Sequence, residues 1–220
     1  FFFFYITSKL QINAVKLGND TIGTVKLFGS YLQSKQYLKL DNETGIFNDH
    51  FSLNAVGGMS FDPKNKDKIE GKIKISNLPV ALLSPLLKGY ASQLSGTIDG
   101  DLSFDGTVND PSVDGEIQLL NTIAKVDYTG SIYTIPKGII KLKEQTITLN
   151  NILLYDVYKN TGTASGTIKL NNINNPLLNL SVSTDEMEVV NLRDYENELF
   201  YGHVIAKAGF SISGSLSNLQ

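Results

Sequence analysis

The chain of 220 residues contains no cysteine and no tryptophan. Without cysteine it has no disulfide, no thiol nucleophile and no cysteine-ligated metal. Without tryptophan it lacks one common kind of sugar-stacking platform. Histidine is scarce too: His50 and His203 stand apart from each other and from any HxxxH spacing, so no metal role is expected of them. Positive charge is not in excess. With 19 Lys+Arg against 22 Asp+Glu the net charge is −3, which argues against binding nucleic acid through its phosphates. No apolar run approaches the roughly 20 residues that span a bilayer as a helix. The opening Phe1-Phe2-Phe3-Phe4-Tyr5-Ile6 is short and follows no charged segment, so it does not read as a signal peptide. The start without methionine and the stop in mid-pattern at Ser217-Asn218-Leu219-Gln220 read as a piece cut from a longer protein. There is no P-loop, no GxGxxG and no GxSxG elbow; Gly162-Thr163-Ala164-Ser165-Gly166 carries its serine one place late. Asp99-Gly100-Asp101 and Asp105-Gly106 lack the calcium-loop pattern, and alternation already explains them as a wet face. No catalytic residue, metal or cofactor is expected.

What the chain has is alternation. From Leu94 to Asn121, Ile98, Gly100, Leu102, Phe104, Gly106 and Val108 occupy every second position, and Thr97, Asp99, Asp101, Ser103, Asp105 and Thr107 lie between them. This period of two is that of a half-buried strand. Asn109-Asp110-Pro111-Ser112 is expected to turn the chain, since proline fixes φ and Asn/Asp bond their own backbone. Val113, Gly115, Ile117 and Leu119 then repeat the apolar face on the return strand.

The same texture recurs along most of the sequence, joined by short Gly-, Asn-, Asp- and Pro-rich connections. Such spacing predicts antiparallel meanders rather than βαβ units. One segment departs from it. Residues 79–90 carry Leu82, Leu86 and Tyr90 at helical spacing, interrupted by Pro85. Two short helical pieces are expected there, the second with Ser84 as N-cap, Pro85 at its first position and Gly89 as its stop. A weak repeat also appears: Phe210-Ser211-Ile212-Ser213-Gly214-Ser215-Leu216 has the cadence of Leu102 to Val108, which suggests a sheet growing by added hairpins.

The runs SGTIDGDLSFDGTVNDPSVDGEIQLLN, DYTGSIYTIPKGIIKLKEQTITLNNILLYD, TGTASGTIKL and FYGHVIAKAGFSISGSLSN together resemble the C-terminal region of TamB-like proteins, in the wider AsmA-like group, with a Bacteroidetes flavour. The likeness covers residues 71–220, and residues 1–70 fit as further strands of the same sheet. The resemblance implies an all-β fold: an elongated, curled antiparallel or mixed sheet, a β-taco with a hydrophobic groove, here with one short helical segment near 79–90. It also implies a periplasmic protein, anchored in the inner membrane when full-length, with roles in phospholipid transport and outer-membrane assembly beside a barrel partner.

If the alternating faces line one interior, the lining is Ile73, Ile75, Ile98, Leu102, Phe104, Val108, Ile117, Leu119, Ile168, Leu170, Leu180, Val182, Phe210, Ile212 and Leu216. All are aliphatic or Phe and none is charged. Burying each is worth about 1.5–3 kcal/mol, so such a face needs a cover. A phospholipid or other acyl chain would serve, as would a second sheet in an ordinary closed sandwich. Two further readings stand beside the lipid conduit. One is a scaffold that templates strands of an outer-membrane barrel. The other is a carbohydrate-binding domain, for which Tyr128, Tyr133, Tyr155 and Tyr158 are the candidates. A cut sheet also presents unpaired edges, so self-association is expected.

Overall fold

The computed structural model describes residues 5–17, 20–170, 175–195, 200–215 and 218–219. Among them, fourteen strands join in one antiparallel sheet. They are β1 (Tyr5–Leu17), β2 (Asp20–Leu32), β3 (Tyr37–Leu40), β4 (Gly45–Phe47), β5 (Ser52–Ser60), β6 (Ile69–Pro79) and β7 (Ala91–Thr107). The series continues with β8 (Asp110–Val126), β9 (Ile132–Lys143), β10 (Thr146–Tyr155), β11 (Thr161–Lys169), β12 (Leu177–Leu192), β13 (Gly202–Ser215) and β14 (Asn218–Leu219). The strands lie in chain order, except that β4 stands beside β3, both bridging β2 and β5. The all-β expectation from alternation holds, and the strand pairing is antiparallel.

The break between β3 and β4 shows how a short polar side chain keeps a ladder intact. Thr44 is buried there; its Oγ1 accepts from Phe28 N at 3.1 Å and donates to Phe28 O at 2.7 Å. The hydroxyl thus stands in for the backbone pair that the gap removes, and buried polar groups on β2 stay satisfied.

Two sequence expectations are corrected. The segment after β6 forms one 3₁₀ turn, Val80–Leu83, and then a run of turns rather than a second helical piece. Ser84 is not an N-cap. It closes the first turn, with its N donating to Ala81 O at 3.1 Å and its Oγ to the same oxygen at 2.6 Å. A hydroxyl bonded backward to the preceding turn cannot cap the next one. The β7–β8 hairpin also turns earlier than expected. Its loop is Val108–Asn109, and Asp110, Pro111 and Ser112 already belong to β8. Gly106 at φ +101° and the bond from Asp110 N to Thr107 Oγ1 at 3.2 Å tighten the reversal before the proline is reached.

The chain divides into two compact units. The first holds residues 1–78, 99–117 and 143–145; the second holds 79–98, 118–142 and 146–220. Among the described residues, buried apolar side chains are few beside the many that remain half-buried or exposed.

Candidate functional site

Directly opposed residues of an antiparallel ladder share a face, so the register reveals which side chains lie together. In the first unit Ile6, Leu10 and Ile12 of β1 oppose Tyr31, Leu27 and Val25 of β2. Tyr31 opposes Leu38 of β3, and Leu38 opposes Met59 of β5. Met59, Ala55 and Leu53 then oppose Ile69, Ile73 and Ile75 of β6. The row continues into β7 and β8. A Cβ on Gly71 would point at the Phe104 ring, one on Gly115 at Leu102, and one on Gly100 at Ile117. Ile73, Ile75, Leu102, Phe104 and Ile117 therefore stand on one side, among residues without charge.

The other side of this unit is polar. Lys26 opposes Gln11, Lys39 opposes Ser30, and Lys74 opposes Asn54. Two open hollows lie against that polar side. One, of about 710 Å³, is lined by Tyr37, Lys39, Val56, Glu70 and Lys72 among others, and one of about 540 Å³ by Lys72, Lys74, Asp101, Ser103 and Asp114 among others. Tyr37 Oη donates to Glu70 Oε1 at 3.3 Å in the first, and burial beside that carboxylate raises its phenol above the usual value.

The second unit repeats the alternation. Ile147, Ile168, Leu178 and Gly214 form one row across β10 to β13, and Leu149, Gly166, Leu180 and Ile212 form the next. A third row runs Ile152, Ala164, Val182 and, by backbone pairing, Phe210. Between them lie rows of short polar residues, such as Thr148, Thr167, Asn179 and Ser213. Ile168, Leu180, Val182 and Ile212 thus share a side. Part of that side is filled by the protein itself: Ile152, Leu154 and Met187 are buried, with Tyr133, Ile135, Leu149, Ala164 and Val182 packed against them.

The remaining expected lining residues are placed differently. Ile98 is buried and Leu119 half-buried, both in the second unit. Val108 has left the sheet for the exposed β7–β8 turn, where its N donates to Asp67 O at 3.0 Å. Leu170 follows the last residue of β11 and is half-buried. The Phe210 side chain and Leu216 lie outside the described residues.

Sequence reasoning missed a polar cluster in the second unit. Asp156, buried after β10, accepts from Tyr158 N and Asn160 N at 2.8 Å, from Glu188 N at 2.9 Å and from Asn160 Nδ2 at 3.0 Å. Burial alone would raise this carboxyl, but the donors from Glu188, Asn160 and Tyr158 outweigh it and hold it below the usual range. Glu188 is itself fully buried. Its Oε2 lies 2.9 Å from His203 Nε2, while Asn191 Nδ2 reaches both carboxylate oxygens at 3.3 Å. Tyr133 Oη donates to Glu188 O at 3.0 Å, and burial raises its phenol. His203, which reads from sequence as an isolated strand residue, thus has a defined partner. The cluster ties the β10–β11 turn to β12 and β13. Tyr133 belongs to the packed core, and Tyr128 and Tyr158 are exposed in turns.

No curated protein and no solved structure matches the chain. Residues 21–119, from the start of β2 into β8, do match the family model described as TamB, N-terminal domain. The matched stretch begins within the first 70 residues, and the model it meets is the N-terminal domain, whereas the sequence runs quoted above pointed to a C-terminal region. On that match residues 21–119, a little under half of the chain, are similar to the TamB N-terminal domain family.

Proposed function

We propose that this chain is a section of a periplasmic trough that shelters phospholipid acyl chains on their way between the inner and outer membranes. The family serves envelope lipid transport or outer-membrane assembly, without enzymatic chemistry, and is periplasmic and envelope-associated. The observation that carries the finer reading is the uncharged side of the first unit, shared by Ile73, Ile75, Leu102, Phe104 and Ile117. An acyl chain of roughly 16 carbons gains about 0.8 kcal/mol per buried CH₂, so roughly 12 kcal/mol opposes moving it from a membrane into water. A sheet face lined by aliphatic groups and Phe offsets much of that cost and requires no catalysis.

The test is uptake of a fluorescent fatty acid by the purified chain. Phe104→Asp and Ile117→Asp each place a charge on the apolar side and are expected to abolish uptake. Uptake unchanged in both variants would overturn the trough.

A second reading, templating of outer-membrane barrel strands by backbone hydrogen bonding at a sheet edge, is suggested by the matched family's part in outer-membrane assembly. It predicts capture of unfolded barrel segments that is indifferent to the lining substitutions. Anchoring in the inner membrane belongs to the same proposal; among the described residues no helix is long and apolar enough to cross a membrane.

A further inference from the structure

Tyrosines gather at one end of the second unit. The turns before β7, between β8 and β9, between β10 and β11, and between β12 and β13 all lie at this end, because each joins the same ends of antiparallel neighbours. They carry Tyr90, Tyr128, Tyr158, Tyr195 and Tyr201, all exposed, Tyr195 by 72%. Leu86, exposed by 77%, and exposed Val157 add aliphatic surface. The turns are held to one another. Asp127 N donates to Tyr90 O at 3.0 Å, Asn191 N donates to Thr129 O at 2.8 Å, and the Tyr128 ring meets Phe200 edge-on at 5.3 Å. Tyr158 stands edge-on to His203 at 6.0 Å. Lys88 and Lys159 sit in the same turns and are exposed. Among the described residues at the opposite ends of β11 to β13 there is no tyrosine; Lys169, Leu170, Asn175, Pro176, Leu177 and Ser215 stand there.

We propose that this tyrosine rim seats the chain against the headgroup layer of a lipid bilayer. A phenol has an apolar ring and a polar tip, which suits the boundary between acyl chains and water. Lysine beside it buries its methylene stem and keeps the ammonium at the phosphates. The exposed aliphatic groups of Leu86 and Val157 select hydrocarbon over sugar, which would need flat aromatic faces without them. The surface is made of turns, separate from the apolar sheet side, and the inference does not rest on what that side carries.

The experiment uses the whole chain and vesicles of phosphatidylethanolamine with phosphatidylglycerol. The wild-type chain floats with the vesicles, and Leu86→Ser with Tyr128→Ser lowers the bound fraction about tenfold or more. Because the chain has no tryptophan, Tyr128→Trp gives a single indole at the rim. Its emission shifts to the blue with vesicles and is quenched by brominated acyl chains, while that of Leu177→Trp at the opposite end is not. The double serine variant retains fatty-acid uptake measured without vesicles, which separates failure of the rim from failure of the trough. A wild-type chain that does not float, a double variant that floats unchanged, or a Tyr128→Trp signal that answers a soluble oligosaccharide and not vesicles would overturn the proposal.

Discussion

The ring of Phe104 lies directly against the backbone of Gly71: a Cβ built on Gly71 would sit 2.5 Å from Phe104 Cζ. The same Cβ would collide with the carbonyl oxygen of Val56 on the neighbouring strand. Gly71→Ala is therefore expected to destabilise the first unit by about 1–3 kcal/mol through overpacking. Urea unfolding measures the loss as a lower midpoint. Phe104→Leu in the same chain recovers only part of it, because the Val56 carbonyl remains in the way.

Asp156 gives a prediction with a pH signature. Replacing it by Ala leaves its four donors unpaired, the buried-strand Glu188 N among them, at a cost of about 1.5–3 kcal/mol. Its carboxyl is held below the usual range, so its contribution is complete above the unfolded value of about 3.9 and disappears as pH falls through the lower folded value. The stability gap between wild type and Asp156→Ala, measured by denaturation across a pH series, should narrow only below about pH 4.

His203→Ala removes the imidazole facing a fully buried carboxylate. Breaking a buried pair costs about 3–5 kcal/mol, but His203 is 47% exposed and water can replace it in part. A loss of about 1–2 kcal/mol is expected. Glu188→Gln should suppress most of that effect in a double-mutant cycle, since the contact from Glu188 Oε2 to His203 Nε2 is then already altered. Additive losses would mean that the two side chains act independently.

The edge of β1 yields a prediction about association. Ile6, Leu10 and Ile12 are exposed along a 13-residue strand at the head of the sheet. We expect the chain to self-associate through this edge in sedimentation experiments. Leu10→Lys, which puts a charge where a partner strand would pack, should return it to monomer. Association unaffected by that change would place the contact elsewhere.

The alternation of Leu102, Phe104 and Ile117 made their shared side readable from sequence, because a regular strand has a period of two. That reasoning fails wherever a bulge inserts a residue. The β10–β11 register shifts between Leu149 and Ile152, with Asn151 at φ +47°, so an odd-numbered apolar row becomes an even-numbered one. The β12–β13 pairing shifts between Thr184 and Met187 and again between Glu188 and Val190. Met187 and Glu188, in consecutive register with Ala206 and Ile205, point to opposite faces and are both fully buried, so this strand is covered on both sides there. Alternation does not reveal a glutamate covered in this way, so the Asp156–Glu188–His203 cluster was not legible. Val108 was lost to the lining for a related reason: a tight turn can begin one residue after an apparently unbroken run.

The near-sequential strand order carries a consequence for how the molecule comes apart. Each strand from β6 to β13 is flanked by its predecessor and successor in the chain, so little ties distant segments into one all-or-none transition. Melting can start at either margin and advance hairpin by hairpin, as a zipper opens. Calorimetry should then return a van't Hoff enthalpy smaller than the heat actually absorbed, and amide exchange should be graded from margins to middle.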